Sequence, residues 1–284
     1  MRRFSAIHWV VIGAVVLCTV LLSFVPTSPD ANKRPTPVTS KTGDNQSLEQ
    51  LLTEARKSFT PELQQKVALV EGAITSERDY VRRGQLFDSL IRMAGQSRQY
   101  VFAAWAAEQK AIKNNGSGND WQTAGTRYQI SVNFQQDPNA VPALYEAAIR
   151  CFNKAIELEP KNLDAKVGLG ICMVEGSNDP MQGIGLLLDV VKEDSTNVNA
   201  QLALGDFSIK RNAPDKAIAR YSTALRLRPD LYAIHLSLAD AYSSAGDTAN
   251  AILHLEEYVK VTDDPVAKND IENAIHRLKA GKGN

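Results

Sequence analysis

Residues 197–230 decide the fold, and they read NVNAQLALGDFSIKRNAPDKAIARYSTALRLRPD. Small side chains stand at Gly205 and Ala217, the bulky Tyr221 follows, and Pro229 comes near the end. Proline ends a helix because it lacks an N–H donor and clashes with the preceding turn. These spacings predict two helices that cross closely at the small residues, with bulky side chains filling the gaps beside them.

The same pattern recurs at a spacing of 34 or 35 residues, which identifies an internal repeat. Pro160 and Pro229 lie 69 residues apart, which is two such periods. The corresponding positions are Ala239, Ala251, Leu255 and Tyr258 downstream, Gly170, Gly183, Leu187 and Val190 upstream, and Ala148, Phe152 and Ala155 one repeat earlier. Because the period holds at many positions at once, the repeat is the main feature of the sequence.

The repeat resembles the tetratricopeptide repeat family, whose pattern is W-x2-L-G-x2-Y followed by A-x3-F and a later P. Leu204-Gly205 matches the first part, and Trp121-x2-Ala124-Gly125-x2-Tyr128 matches it again. One helix pair cannot bury its apolar faces alone, so pairs stack side by side. The resemblance implies an all-α fold, a right-handed helical-hairpin solenoid with four repeats at 118–162, 163–197, 198–231 and 232–265.

Helices are also expected on both sides of these repeats. Helix starts are predicted at Thr60, Ser76 and Ser97, where a polar capping residue precedes an apolar pattern. Residues 47–117 are therefore predicted to form N-terminal helices, the last two of them a degenerate hairpin of the same type. Residues 266–284 are predicted to hold a capping helix and a tail.

The composition excludes several classes of function. Lys+Arg and Asp+Glu are both 32, so the chain lacks the basic excess of a nucleic-acid-binding protein. The three cysteines, at positions 18, 151 and 172, show no CxxC or Cys/His spacing, which argues against a zinc site and a disulfide-rich scaffold. Cys151 and Cys172 are predicted to be free thiols.

No pattern of a catalytic, metal or cofactor site is found in the sequence. There is no GxSxG, P-loop, HExxH or GxGxxG motif. His235 is interpreted as a partly packed core residue, and His254 and His276 as single histidines without a partner ligand at i±4. The protein is therefore predicted to be no enzyme and to bind no cofactor.

A membrane anchor is predicted at the N-terminus. Residues 5–25 contain no Asp, Glu, Lys or Arg, and about 20 apolar residues suffice to cross a bilayer. Arg2 and Arg3 precede this segment, which favours a cytoplasmic N-terminus with the rest exported. A cleaved signal peptide is the alternative, but its apolar core is shorter and ends in a small-residue site. Residues 26–46, with four prolines, are predicted to be a flexible linker.

The resemblance also implies where a partner binds. In this family the first helix of each pair lines a concave groove that holds a protein or peptide segment. The positions that match are Asp164, Val167, Ile171 and Val174 in one repeat, Asn199, Leu202, Asp206, Ile209 and Lys210 in the next, and Leu236 and Asp240 in the last. These residues predict an apolar strip with acidic flanks, open to a partner or covered by helices from residues 48–113 or by the inserted loop.

Three functions compete at this stage. The first is a scaffold, adaptor or chaperone-like factor at the inner membrane, with its repeats in the periplasm, a role that rests on analogy of fold. The second is a self-associating structural module that oligomerises through residues 48–113. The third, disfavoured, is an enzyme with a site in the eleven extra residues of the first repeat, near 135–145.

Overall fold

The computed structural model describes residues 46–177 and 179–281, and within these ranges it is all-α, without strands. One 3-10 turn, Pro138–Ala140, accompanies the helices. The α-helices are α1 (Leu48–Lys57), α2 (Pro61–Ser76), α3 (Tyr80–Gln96), α4 (Tyr100–Lys113), α5 (Gly118–Val132), α6 (Val141–Leu158), α7 (Leu163–Gly176), α8 (Pro180–Glu193), α9 (Val198–Lys210), α10 (Pro214–Leu227), α11 (Ile234–Ser244), α12 (Thr248–Val261) and α13 (Pro265–Lys279).

These helices belong to two compact units, whose described parts are residues 46–200 and 201–281. In the first unit α3 packs on α4, α5 on α6 and α7 on α8, and these three hairpins are joined by the packing of α4 on α5 and of α6 on α7. In the second unit α10 packs on α11, α11 on α12 and α12 on α13. The predicted all-α hairpin architecture is thereby confirmed within each unit, whereas the exact repeat boundaries stay a prediction.

Helix crossings in the first unit follow the small residues that define the repeat. A Cβ atom added to Gly183 would lie 2.5 Å from the carbonyl oxygen of Gly170, so α7 and α8 touch backbone to backbone. A Cβ added to Gly168 would overlap the ring of Phe152, which fills the space between α6 and α7. Glycine is required at these two crossings because there is no room for any side chain.

The N-terminal helices form as expected, but two of their starts were placed wrongly. The helix α2 begins as predicted, with the Thr60 hydroxyl accepting a bond from the Leu63 amide. Ser76 does not start the next helix, because its hydroxyl bonds back to carbonyl oxygens of α2. Asp79 caps α3 instead, and Ser97 lies at the end of that helix rather than at the start of α4.

The predicted insertion near residues 134–145 is divided between a longer turn after α5 and the start of α6, which begins at Val141. Asp137 accepts a bond from the Asn139 amide, which closes the short 3-10 turn. Ala140 is buried, and the Asn139 carbonyl accepts a bond from the Gln46 amide. The insertion therefore packs against the fold and fixes the start of the N-terminal helical region.

The predicted membrane anchor at residues 5–25, with its cytoplasmic tip, lies outside the described residues, as does the linker apart from Gln46. Within the described part of the chain, no helix combines the length and the apolar character that a bilayer crossing requires. Cys151 and Cys172 are buried free thiols, as the sequence predicts.

Candidate functional site: the face of the first helices

Three helices, α5, α6 and α8, contact α7 and limit the side of it that a partner can reach. Gly170 faces Leu187 of α8, and Val174, one turn later, lies against Gly183 of the same helix. On another side, Gly168 faces the Phe152 ring of α6. With 3.6 residues per turn, residues 164, 167 and 171 lie between the α8 side and the α6 side of α7, and of these three only residues 164 and 171 keep solvent exposure.

The predicted groove residues divide by exposure into three groups. The polar positions are exposed, the apolar ones are half-buried, and one valine is buried with 4% of its surface accessible. Exposed are Asp164, Asn199, Asp206, Lys210 and Asp240; half-buried are Ile171, Val174, Leu202, Ile209 and Leu236; buried is Val167. The exposed residues of this set are thus polar, and the apolar residues are half-buried or buried.

Two of the predicted contact residues need correction. Val167 is too deeply buried to meet a partner, and Val174 packs against the second helix of its own pair. Asp206 is exposed but also accepts a hydrogen bond of 2.6 Å from the Tyr221 hydroxyl, so its carboxylate is partly used within the hairpin. The partner-binding role of the other residues stays a prediction.

The exposed groove positions carry more negative than positive charge. In the second unit Asp206 and Asp240 stand with one cation, Lys210, whose ammonium lies 5.7 Å from the centre of the Phe207 ring. Desolvation of its carboxyl group raises the pKa of Asp240 above the ordinary aspartate value. In the first unit the exposed positions of the set are Asp164 and Asn199.

The helix α1 lies on the second helices of the hairpins rather than on the first. It packs chiefly against α4 and α6. Arg56 of α1 places its guanidinium 4.7 Å from the centre of the Phe102 ring on α4. Because the predicted groove is formed by first helices, this packing side leaves the first-helix face of the unit uncovered by α1.

Histidine pairing across a hairpin was missed in the sequence. His235 of α11 and His254 of α12 bring their Nδ1 atoms to 2.9 Å, although His254 was interpreted as a single histidine. The midpoint of the two positions, 244.5, lies close to the turn at residues 245–247 that joins α11 to α12. In an antiparallel hairpin, residues at similar distances before and after the turn face each other. Counting outward from the turn, and not only to i±4 within one helix, therefore predicts this pair.

Matches to known proteins identify the repeats. Residues 202–267 and residues 144–162 each match a sequence model of the tetratricopeptide repeat. The longer segment matches the tetratricopeptide repeat over two helix pairs, and the shorter one over about a single helix. The longer match spans most of the two repeats predicted at 198–231 and 232–265, and the shorter one falls on α6. No curated protein sequence is significantly similar to the chain.

Solved structures agree with the fold of these repeats. A tetratricopeptide repeat protein of Parabacteroides merdae matches with a TM-score of 0.56 at 14% identity, over 82% of this chain and 87% of that chain. A thermophilic TPR protein of Thermus thermophilus matches with a TM-score of 0.51 at 16% identity, over 68% of this chain and 99% of that chain. At such identities the likeness concerns the fold alone.

Proposed function

We propose that this protein is a non-enzymatic scaffold or adaptor that holds a protein segment on the first helices of its tetratricopeptide repeats. The observation that carries the proposal lies within the unit of residues 201–281, where the exposed Asp206 and Asp240 share the first helices with the half-buried Leu202, Ile209 and Leu236. An amphipathic segment packs its apolar side chains against such half-buried residues and places its polar side chains beside the exposed ones.

The charges of the exposed groove residues indicate the composition of the partner segment. The exposed predicted positions carry net negative charge in each unit. They are Asp164 in the first unit, and Asp206 and Asp240 with one ammonium, at Lys210, in the second. A segment with an apolar stripe and basic flanks complements this distribution, since opposite charges at the rim favour encounter and correct register.

Capture of a partner tests the proposal directly. The test is a pulldown from mild detergent with Asp164→Lys and Asp240→Lys combined, which places one change on the first helices of each unit. Recovery of the partner is expected to fall at least about tenfold, because like charges at an interface cost several kcal/mol. Circular dichroism measured alongside separates lost capture from lost folding, because the Asp240 carboxyl is partly desolvated in the fold. Asp189→Lys with Asp270→Lys, on the exposed faces of α8 and α13, is the matched control and should capture normally.

Each other outcome has a definite meaning for the partner site. Normal capture by the Asp164/Asp240 variant would place binding elsewhere, with the insertion at 135–145 as the next site to test. Recovery of this chain alone would favour the self-associating module. That alternative is supported by exposed apolar side chains in the N-terminal helices, namely Leu69, Tyr80 and Val81.

Anchoring in the membrane is the second part of the proposal. Residues 5–25 cross the inner (cytoplasmic) membrane once, the N-terminus stays in the cytoplasm, and the repeats work in the periplasm. The support is the uncharged apolar run after Arg2 and Arg3, which is long enough to cross a bilayer. The role in envelope assembly, translocation or maturation rests on analogy with anchored repeat proteins.

A carbonate wash tests the anchor. The protein is expected to stay in the membrane fraction and to keep its N-terminal residues, because an uncleaved apolar helix is not extracted by alkali. Mass spectrometry of the intact chain checks the N-terminus. Recovery of a soluble form that begins near residue 26 or later would mean that the segment is a cleaved signal peptide.

A further inference from the structure

Two imidazoles meet in the hairpin of α11 and α12. His235 lies in the first turn of α11 and His254 in the middle of α12, and both are half-buried. Their Nδ1 atoms are 2.9 Å apart and their ring planes are inclined by 43°. Two nitrogen atoms of the same kind therefore lie next to each other on rings that are only half-buried.

The residues around the pair hold it in place and add charge. The Tyr242 ring stacks on His254 with centroids 5.4 Å apart. Glu257 follows His254 by one helical turn, and the negative charge of its carboxylate acts on both imidazoles. Lys260 donates a bond of 2.6 Å to Glu257. Burial is the main cause that lowers the pKa of each histidine, which keeps both rings neutral and their nitrogen lone pairs available at neutral pH.

We propose that His235 and His254 bind one divalent transition-metal cation through their Nδ1 atoms, and that the site prefers Cu²⁺ or Ni²⁺ over Zn²⁺. Bonds from imidazole nitrogen to such ions are about 2.0–2.1 Å long. With the Nδ1 atoms 2.9 Å apart, these lengths give an angle of about 90° at the metal. That angle belongs to square-planar and octahedral coordination, which suits Cu²⁺ and Ni²⁺.

Zinc fits the same pair less well. A tetrahedral angle with similar bonds needs the two nitrogens about 3.3–3.4 Å apart, so the rings must separate by roughly 0.4 Å. Tyr242 packed on His254 opposes that movement. Among the described residues no third His, Cys, Asp or Glu completes a metal-binding group. Water therefore fills the other coordination positions, and Glu257 becomes an additional ligand if it leaves Lys260.

A simple hydrogen bond between neutral imidazoles, one Nδ1–H donating to the other Nδ1, gives the same 2.9 Å separation without any metal. The two explanations differ in a measurable way. If the pair is a metal site, it binds one Cu²⁺ per chain through two nitrogens. If it is only a hydrogen-bonded pair, it binds no Cu²⁺ in a fixed ratio.

Titration of the full-length protein with Cu²⁺ alone separates them. Calorimetry is expected to show one bound Cu²⁺, and electron paramagnetic resonance should show two nitrogen ligands. His235→Gln and His254→Gln should each weaken Cu²⁺ binding at least about tenfold, since loss of even a second-shell partner costs 10–100-fold. His276→Gln, which changes an exposed histidine on α13, is the matched control and should bind Cu²⁺ normally.

A measurement on the unchanged protein guards against variants that fail to fold. With Zn²⁺ at saturation as a diamagnetic probe, long-range ¹H–¹⁵N spectra should show Nδ1 of both His235 and His254 shifting, and no shift at His276. Absence of stoichiometric Cu²⁺ binding, or Cu²⁺ binding retained in the folded His235→Gln/His254→Gln double variant, would overturn the proposal. Zn²⁺ shifts confined to other histidines would do the same.

Discussion

Gly205→Leu is expected to unfold the helices of residues 201–281 at denaturant concentrations where the natural protein is folded. A Cβ at position 205 would lie 2.8 Å from Cδ1 and 2.9 Å from Cζ of the Tyr221 ring. The ring cannot retreat, because it is buried and its hydroxyl is bonded to Asp206. Overpacking costs about 1–3 kcal/mol and occasionally more. Because the Leu side chain would overlap the Tyr221 ring, we expect the loss in free energy of unfolding to exceed that range.

Urea unfolding followed by circular dichroism measures the effect. Gly185→Ala is the matched control, because Gly185 is also helical but a Cβ there would meet nothing within 4 Å. Alanine in a helix interior is favoured over glycine by about 0.5–1 kcal/mol, so this control should unfold at the same or a higher urea concentration. A Gly205→Leu variant with the natural midpoint would mean that the crossing of α9 and α10 is placed wrongly.

The hairpin crossings could be predicted from the sequence because two helices that cross closely require a small residue at the crossing position. Gly170, Gly183 and Gly205 stand at helix crossings, and the repeat spacing alone located them. The start of α2 was predictable for a similar local reason, since Thr60 and Pro61 give a cap and a first-turn proline. Features that depend on one residue and its nearest turn can be read from a single sequence.

Interactions between helices were harder to predict because their partners lie far apart in the chain. His235 meets His254 across 19 positions, and Glu108 meets Arg150 across 42. Exposure of the groove face was misjudged for a related reason. The face of a helix can be assigned from periodicity, but the depth at which Val167 lies depends on what packs around it.

A buried acid joins three helices in the first unit. Glu108 of α4 is 5% exposed and accepts a 2.6 Å bond from the Tyr128 hydroxyl of α5. Its other oxygen accepts a 2.8 Å bond from Arg150 of α6. Burial, with Glu108 nearby, raises the pKa of Tyr128 and of the Cys151 thiol, so both stay protonated. Although burial alone would lower the pKa of Arg150, its bond to Glu108 raises it.

This cluster connects the N-terminal helices to the first repeat. The helix α4 forms a hairpin with α3, whereas α5 and α6 form the next one. A buried carboxylate is stabilised only while its partners remain, because an uncompensated charge or hydroxyl keeps its full desolvation cost. The cluster therefore contributes to stability as a unit, and its members should not act additively.

Substitution of Glu108 is expected to have the second large effect. Glu108→Leu leaves the buried Tyr128 hydroxyl without an acceptor and should lower the free energy of unfolding by about 2–4 kcal/mol. The cost of leaving Arg150 without its carboxylate partner is reduced, because the Arg150 side chain is half-exposed and can bind water instead. Glu108→Gln keeps an acceptor for Tyr128 and should cost less, about 1–2 kcal/mol. Glu62→Gln, in the exposed pair with Lys66, is the control and should leave the urea midpoint unchanged.

A double-mutant cycle then decides whether the hydroxyl is the cause. Tyr128→Phe removes the group that Glu108→Leu leaves unpaired, so the double variant should be more stable than the sum of the two single losses predicts. Non-additivity of this sign is expected for residues that share one buried hydrogen bond. Additive losses would mean that Glu108→Leu acts through packing around α4, and that the Tyr128 bond contributes little to holding α4 against α5.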